Sequence, residues 1–180
     1  MNLNRRCFSR GLVAALCLGI TALAHGQPPA WPTKPVRLLV GFPAGSTPDS
    51  SARALADGLA TVLGQPVIVD NRPGAAGNLA ADLVAKAQDD HTLGVVINGN
   101  LTSAKMLNPN LAYDPARDFS FLSLLTTAPL ALVARADLPE GAAFFEAAVQ
   151  QGDRWNYGSV GAGSVAHLGM EQLKLKVRGL

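Results

Sequence analysis

Cysteine is absent from the sequence after residue 17, because Cys7 and Cys17 are its only two copies. Both lie in an N-terminal segment with the features of a secretion signal, so the mature protein is predicted to contain no disulfide and no thiol nucleophile. Histidine is almost as scarce. His25, His91 and His167 are far apart in the sequence and do not form the clustered ligand set of a metal site. We therefore predict neither a metal ion nor another cofactor.

The sequence also lacks the motifs of proteins that bind nucleotides or nucleic acids. Its glycine-rich segment at residues 158–163 has the order Gly-x-x-Gly-x-Gly, which differs from the dinucleotide motif, and no Walker lysine follows it. The 15 Lys and Arg side chains include Arg5, Arg6 and Arg10 of the predicted signal, so 12 remain in the mature protein against 13 Asp and Glu. This balance predicts no basic surface for nucleic acid.

The first 26 residues have the organisation of a signal peptide. A basic group is followed by an apolar segment at residues 11–23, which is too short to cross a bilayer comfortably. The order Ala-Leu-Ala at residues 22–24 provides a cleavage site, and we predict cleavage after Ala24 or Gly26. The two adjacent arginines fit a twin-arginine signal as well as an ordinary Sec signal, so the export route stays open.

The clearest structural signal in the chain is a strand followed by a turn and a helix. Residues 36–40 form an apolar run typical of a buried strand, and a Pro-Ala-Gly-Ser turn comes soon after it. Thr47 can cap the helix with its hydroxyl group, and Pro48 suits the first helical position. Apolar residues recur at helical spacing over residues 52–63, and Gly64 stands where a left-handed C-cap belongs. A turn that presents backbone N–H groups at a helix N-terminus has the general construction of an anion site.

Strands and helices alternate along the rest of the chain. Further strands are predicted at residues 66–70, 91–97, 119–125, 130–135 and 155–158, and further helices at residues 80–87, 142–150 and 165–177. This alternation predicts an α/β fold with a mostly parallel sheet and right-handed crossovers. Ligands of such sheets bind beyond the carboxyl ends of the strands, which directs attention to the loops after Val40, Ile97 and Tyr157.

The segment around the loop after Tyr157 has the same order as the first unit, namely a predicted strand, a glycine-containing turn, a hydroxyl residue and a helix. Three glycines at residues 158–163 permit close approach of the backbone to a bound group, and Ser164 can cap the helix that follows. Two such units predict two loops that present backbone N–H groups and face each other. We call these two loops the lips of the site. The amide and hydroxyl groups of residues 98–103 would lie between them.

An exported serine hydrolase is the main alternative from another functional class. Ser159 lies in the order Tyr-Gly-Ser-Val-Gly, in which the first glycine is one place too close for a nucleophile elbow. Ser164 precedes His167 at the start of the same helix, whereas a triad histidine normally comes from another loop. Asp49 and His167 also have ordinary structural interpretations, as a helix-start carboxylate and as a packed helix residue. A hydrolase that uses Ser159 or Ser164 stays open at this point.

Several motifs together match one family of receptors. They are the opening run at residues 31–37, Phe-Pro-Ala-Gly at 42–45 with Asp49 and Arg53, the run Gly-Gln-Pro-Val-Ile-Val-Asp-Asn-Arg-Pro-Gly-Ala-Ala-Gly-Asn at 64–78, Tyr-Asp-Pro at 113–115 with 118–119, and residues 156–159 through Ser164 and His167. On these residues the chain resembles the Bug-type extracytoplasmic receptors of tripartite tricarboxylate transporters, from about residue 31 to its end. The run at residues 64–78 is the most specific of the matches.

The resemblance implies a periplasmic-binding-protein-like (type II) α/β fold, in which two lobes close on a ligand by hinge motion. It implies a periplasmic, monomeric receptor without enzymatic activity. Such a receptor captures a small carboxylate and passes it to the membrane subunits of a transporter.

The resemblance also implies roles for individual residues. Asp49 would face other groups of the ligand, and Thr102 would be a contact in the middle loop. The carboxylate itself would be held by the two lips, which are Ala44, Gly45 and Ser46 on one side and Ser159, Gly163, Ser164 and His167 on the other. Ser46 stands where the family usually has a second glycine, so ligand choice is expected to differ.

Family members run well beyond this length, so the resemblance implies a truncated receptor. Its parts would be a signal peptide at residues 1–26, the N-terminal part of the first lobe at residues 27–128, and the start of an incomplete second lobe at residues 129–180. The cleft would then be open on one side, and a nonfunctional remnant is a further alternative.

Overall fold

The structure, a computed structural model, describes residues 31–180. The predicted signal peptide and His25 lie outside the described residues. Every helix and strand given below belongs to one compact unit, residues 34–180. Within the part of the chain that the structure describes, none of the helices combines the length and the apolar character needed to cross a bilayer.

Three parallel strands form the sheet. β1 (Val36–Val40) lies in the centre, with β2 (Val67–Asn71) on one side and β3 (Thr92–Val95) on the other. Val36 and Val40 at the two ends of β1 are fully buried, as expected for the central strand of a parallel sheet. Both neighbours of β1 run parallel to it, which confirms the predicted α/β fold with a parallel sheet.

Helix α1 (Thr47–Leu63) packs against β1 and β2. Its buried face carries Ala52 and Ala56, whose small side chains let the helix backbone come close to the sheet. The core cluster joins Ala52 to Val40, Phe42 and Val95. The sheet and this helix therefore hold the end of β1, and the loop after it, in a fixed position.

The two ends of α1 differ in how well the sequence predicted them. Gly64 has φ +66° and donates its N–H to the Ala60 carbonyl at 3.0 Å, so the predicted left-handed C-cap is confirmed. The predicted Thr47 cap is wrong, because the N-cap residue is Ser46 and no side chain caps the helix. The Ser46 hydroxyl donates to the Pro43 carbonyl at 2.7 Å instead, which tightens the turn.

The remaining helices confirm the predicted ones and add two short ones. They are α2 (Asn78–Ala85), the short α3 (Asn98–Leu101) and α4 (Ser103–Leu107), α5 (Ala142–Gln151) and α6 (Val165–Lys176), with 3₁₀ turns at Ala75–Gly77 and Gly152–Arg154. The two short helices occupy the loop after β3. α6 begins directly after the glycine-rich segment.

The predicted strands at residues 119–125, 130–135 and 155–158 are wrong, since these residues are not in strands. Apolar side chains in the first two segments are exposed, with Leu122 at 77% and Val133 at 83%. Strand propensity expresses how well a residue fits a paired, half-buried surface. No strand within residues 31–180 pairs with these segments, so propensity alone does not make them strands.

Two glycine-to-alanine substitutions test the packing described here. A methyl group at Gly94 would come within 2.8 Å of the Val84 Cγ2 atom, so Gly94→Ala should lower the free energy of unfolding by about 1–3 kcal/mol. Gly58 lies inside α1 and faces open space, so Gly58→Ala should raise it by about 0.5–1 kcal/mol. Urea denaturation measures both. Equal effects of the two substitutions would contradict the contact between β3 and α2.

Candidate ligand-binding site

Four segments meet near the carboxyl ends of the strands. We call them the first loop (residues 41–46, after β1), the alanine turn (74–77, after β2), the middle loop (97–103, after β3) and the second loop (158–164, before α6). In a parallel sheet these ends lie at the same edge, which is the usual position of ligands. The loops that the sequence singled out therefore meet at one edge of the sheet.

Asp49 shapes the first loop from within the protein. Its side chain is buried, at 2% exposure, and one carboxylate oxygen accepts the Gly45 N–H at 2.8 Å and the Arg53 Nε–H at 3.0 Å. The other oxygen accepts the Asn71 Nδ2–H at 2.9 Å and lies 2.9 Å from an Arg53 guanidinium nitrogen. Asn71 also donates to the Phe42 carbonyl at 3.0 Å. The carboxylate thus ties both sides of the first loop to β2 and α1.

These partners stabilise the ionised form of the carboxyl group. The hydrogen bond from Arg53, followed by those from the Gly45 N–H and from Asn71, lowers the pKa of Asp49 to about 2. Each of these donors favours the charged form. Asp49 is therefore an anchor that is ionised at neutral pH and whose charge is balanced by Arg53.

The second loop is closed by the first turn of α6. Ser164 is buried, at 1% exposure, and its Oγ accepts the His167 N–H at 3.2 Å, so the predicted serine cap is confirmed. The His167 Nδ1 atom accepts the Gly163 N–H at 3.0 Å. In the neutral imidazole the ring proton must then lie on Nε2, because Nδ1 is already an acceptor.

The side chains of Tyr157 and Glu171 lie beside the His167 ring. The Tyr157 ring stacks on it, with centroids 6.5 Å apart and an interplanar angle of 20°. Tyr157 donates its hydroxyl hydrogen to Glu171 Oε1 at 2.9 Å, which raises the pKa of Tyr157 and lowers that of Glu171. Glu171 Oε1 lies 3.9 Å from Nε2 of His167, and Lys174 pairs with the same carboxylate.

The middle loop contacts the second loop directly. Ser103 Oγ donates to the Gly163 carbonyl at 2.5 Å. Gly99 lies so close that a Cβ atom there would be 3.0 Å from the same carbonyl oxygen. Thr102 is exposed, and its hydroxyl donates to the Asn98 carbonyl at 2.9 Å.

The alanine turn touches the first and the second loop. A Cβ atom added at Gly41 would come within 2.6 Å of the Gly77 Cα atom, and one added at Gly77 would come within 2.9 Å of the Phe42 ring. On the other side, a Cβ atom at Gly161 would be 2.7 Å from the Cβ of Ala76. Both loops therefore rest on neighbouring residues of one turn.

The predicted site residues fall into three environments at this edge. Ser46 and His167 are half-buried. Asp49, Gly163 and Ser164 are buried, whereas Ala44, Gly45, Thr102 and Ser159 are exposed. Sequence reasoning gave no binding role to Asn71 or Tyr113 and treated Asn100 only as one of the polar residues of the middle loop, yet all three lie among these loops. Asn71 falls within the run at residues 64–78 and Tyr113 within the Tyr-Asp-Pro motif, so the matching motifs contained that signal.

The geometry gives no support to a hydrolase. The Oγ atom of Ser164 accepts a backbone N–H, and the ring of His167 accepts another at Nδ1, so neither is arranged as a nucleophile with its base. Ser159 Oγ contacts Gly161, not an imidazole. Among residues 31–180 there is no group of histidine, aspartate and glutamate side chains that could hold a metal ion.

A separate cleft of about 320 Å³ lies away from these loops. It is lined by Phe145, Glu146, Val149, Gln150 and Val177, from α5 and the residue after α6. No predicted site residue lines it. Its lining is mostly apolar and includes the acidic Glu146, so the loops at the sheet edge are the better candidate for an anion.

Replacing the buried carboxylate should change how stability depends on pH. Because the pKa of Asp49 is about 2 in the folded protein and has an ordinary value of 3.8, its ionisation stabilises the fold above pH 3.8. That contribution is lost as the pH falls toward 2. Wild type should therefore exceed Asp49→Asn in the free energy of unfolding at neutral pH, and the difference should shrink on acidification.

Urea denaturation at several pH values measures this difference. Asp57→Asn removes an exposed carboxylate from the same helix and serves as the matched control. A gap between wild type and Asp49→Asn that is independent of pH would contradict the role assigned to Asp49.

Comparison with known proteins gives the family of the chain. The family model described as tripartite tricarboxylate transporter family receptor matches residues 51–179. A protein of Cupriavidus necator described as "UPF0065 protein in gbd 5'region" is 36% identical over 176 residues, which is 92% of this chain and 52% of that protein. The chain spans about half the length of the curated relatives that it matches.

Two solved structures show the same fold. MatC (Rpa3494) from Rhodopseudomonas palustris, with bound malate, has a TM-score of 0.75 and 37% identity over 82% of this chain and 52% of its own. The periplasmic binding protein BugD has a TM-score of 0.68 and 28% identity over 82% of this chain and 50% of its own. The predicted resemblance and the periplasmic-binding-protein-like fold are confirmed: the chain belongs to the receptor family of the tripartite tricarboxylate transporters.

Proposed function

We propose that the chain captures a small carboxylate between the first and the second loop, as part of a solute receptor. The observation that carries the proposal is that the loops before α1 and α6 rest on adjacent residues of the alanine turn. Two helix N-termini are thereby brought to one edge of the sheet. The malate bound to MatC, a relative with 37% identity, supports the choice of ligand class.

The donors for the carboxylate would be N–H groups of the first helical turns. Such groups have no acceptor within their own helix, and the helix dipole favours an anion beside them. The N–H groups of Gly45 and Gly163 already donate to Asp49 and His167, so we assign these glycines the role of shaping the lips. Ala44, Ser46, Thr102 and Ser159 line the opening, and Ser164 and His167 fix the second lip.

This arrangement is sufficient for useful affinity. A hydrogen bond from an amide to a charged group contributes about 1.5–3 kcal/mol. Three or four of them would correspond to a micromolar dissociation constant, which requires about 8 kcal/mol. Loops that are already held by internal hydrogen bonds lose little freedom when the ligand binds.

The assignment extends to the whole receptor. It would be a periplasmic, monomeric protein without cofactor or catalytic activity, exported with the signal at residues 1–26, that passes its ligand to the membrane subunits of a transporter. Residues 27–128 would contribute to the first lobe and residues 129–180 would begin the second.

Ligand-induced thermal stabilisation tests the function. We expect a dicarboxylate such as malate, at about a hundred times its dissociation constant, to add ~2.7 kcal/mol to the stability of the folded chain. Malamide has the same shape without the charge, so it should give a much smaller shift. A panel of di- and tricarboxylates covers the open question of which acid fits. Cooperative melting without a shift from any acid would exclude the proposed function.

Two substitutions at His167 test the second lip. His167→Ala removes the acceptor for the Gly163 N–H and should raise the dissociation constant about five- to tenfold, the effect of one hydrogen bond. His167→Asn places an amide oxygen near the position of Nδ1 and should retain most of the affinity. Isothermal titration calorimetry measures both. Equal losses in the two variants would argue that the imidazole itself, not its acceptor atom, is needed.

A further inference from the structure

The alanine turn adopts a backbone conformation that side chains disfavour. Ala75 and Ala76 both have positive φ angles, +48° and +55°, and they lie between Gly74 and Gly77. Two consecutive alanines in this region cost conformational free energy and persist only where their surroundings hold them. Contacts from outside the turn must therefore hold it in place.

A buried amide supplies those contacts. The Asn100 side chain, 1% exposed, donates both of its Nδ2 hydrogens, to the Ala76 carbonyl at 2.9 Å and to Asn78 Oδ1 at 2.7 Å. Its Oδ1 accepts the Ile97 N–H at 3.1 Å. The side chain makes these three hydrogen bonds at the same time, so it fixes the end of the turn relative to the start of the middle loop.

A buried phenol completes the network. Tyr113 is 2% exposed, and its hydroxyl oxygen lies 2.8 Å from both Asn78 Oδ1 and the Asn100 carbonyl. Burial, together with the charge of Asp82, raises the pKa of Tyr113 to about 12, so the hydroxyl is a donor at neutral pH. The Asn78 Oδ1 atom therefore lies within hydrogen-bonding distance of two donors, the Asn100 amide and the Tyr113 hydroxyl, and is their shared acceptor.

The turn held in this way determines where both lips lie. Phe42 and Gly41 of the first loop pack on Gly77, and Gly161 of the second loop packs on Ala76. A displacement of the turn toward either loop would have to displace that loop, because these contacts leave no room for a methyl group.

We propose that Asn78, Asn100 and Tyr113 are positioning residues, which set the distance between the two lips by holding the alanine turn. The expected effect of these residues on affinity rests on the proposed function. Their expected effect on the geometry of the free protein does not depend on any ligand. None of the three side chains is required to touch the carboxylate.

A pair of substitutions at Asn78 separates positioning from simple stabilisation. Asn78→Ala removes the shared acceptor. Asn78→Asp retains an acceptor oxygen at the first position of α2, where the helix dipole favours a negative charge. Malate is the probe for calorimetry. We expect Asn78→Ala to raise its dissociation constant about five- to tenfold and Asn78→Asp to change it less than about threefold.

Hydrogen exchange of the free protein gives a readout without ligand. The Gly77 N–H donates to the Gly74 carbonyl and the Gly163 N–H to His167, so both amides report on the network's surroundings. Their exchange should accelerate in Asn78→Ala and keep the wild-type rate in Asn78→Asp. Exchange within α1 should be unchanged in both, whereas a general loss of stability would accelerate it too.

Tyr113→Phe provides a second variant in case Asn78→Ala does not fold. It removes one hydroxyl group and should show the same acceleration at Gly77, with weaker malate binding. If wild type binds no acid, the proposed function fails and the exchange data alone decide the positioning role. Unchanged exchange at Gly77 in folded Asn78→Ala or in Tyr113→Phe, or equal losses of affinity in Asn78→Ala and Asn78→Asp, would overturn it.

Discussion

The contact between the alanine turn and the two glycine-rich loops is the constraint on which the candidate site depends. Gly41 and Gly161 approach Gly77 and Ala76 so closely that neither position has space for a Cβ atom. The loops come from distant parts of the sequence, one after β1 and the other before α6. Their shared support places two helix starts at one edge of the sheet, where the proposed carboxylate would meet two sets of N–H donors.

The internal hydrogen bonds of the loops have a second consequence. A carboxylate of the protein, Asp49, already occupies the Gly45 N–H, and an imidazole nitrogen of His167 occupies the Gly163 N–H. The turn amides are therefore used to build the lips before any ligand arrives. Arg53 balances the charge of Asp49, so the first lip need not repel an anion. Such preorganisation reduces the entropy that binding must overcome.

Local sequence predicted the parts of the fold that local chemistry determines. Gly64 marks a helix end because only a left-handed residue fits there, and the Ser164 cap follows from a hydroxyl before a helical pattern. The strand predictions for residues 119–125 and 130–135 were wrong because a strand needs a neighbouring strand to pair with, and composition does not reveal one.

The polar network at the site was beyond single-sequence reasoning for a related reason. Asn100 and Tyr113 matter because of groups that lie 24 and 35 positions away in the chain, at Ala76 and Asn78. Nothing in their own neighbourhoods indicates burial. Asp49 is a mixed case: its place at a helix start favoured a structural role, whereas the resemblance implied that it faces the ligand. In the structure its carboxylate is buried and accepts hydrogen bonds from α1, β2 and the first loop.

In the proposed site, the first and second loops bind the same carboxylate. Titration of the isotope-labelled chain with malate, followed by amide NMR, examines both loops in one experiment. The amide signals of residues 44–47 and 163–166 should shift together, with one dissociation constant, and malamide should leave them in place. Shifts confined to one loop, or to the cleft lined by Phe145 and Val177, would contradict it.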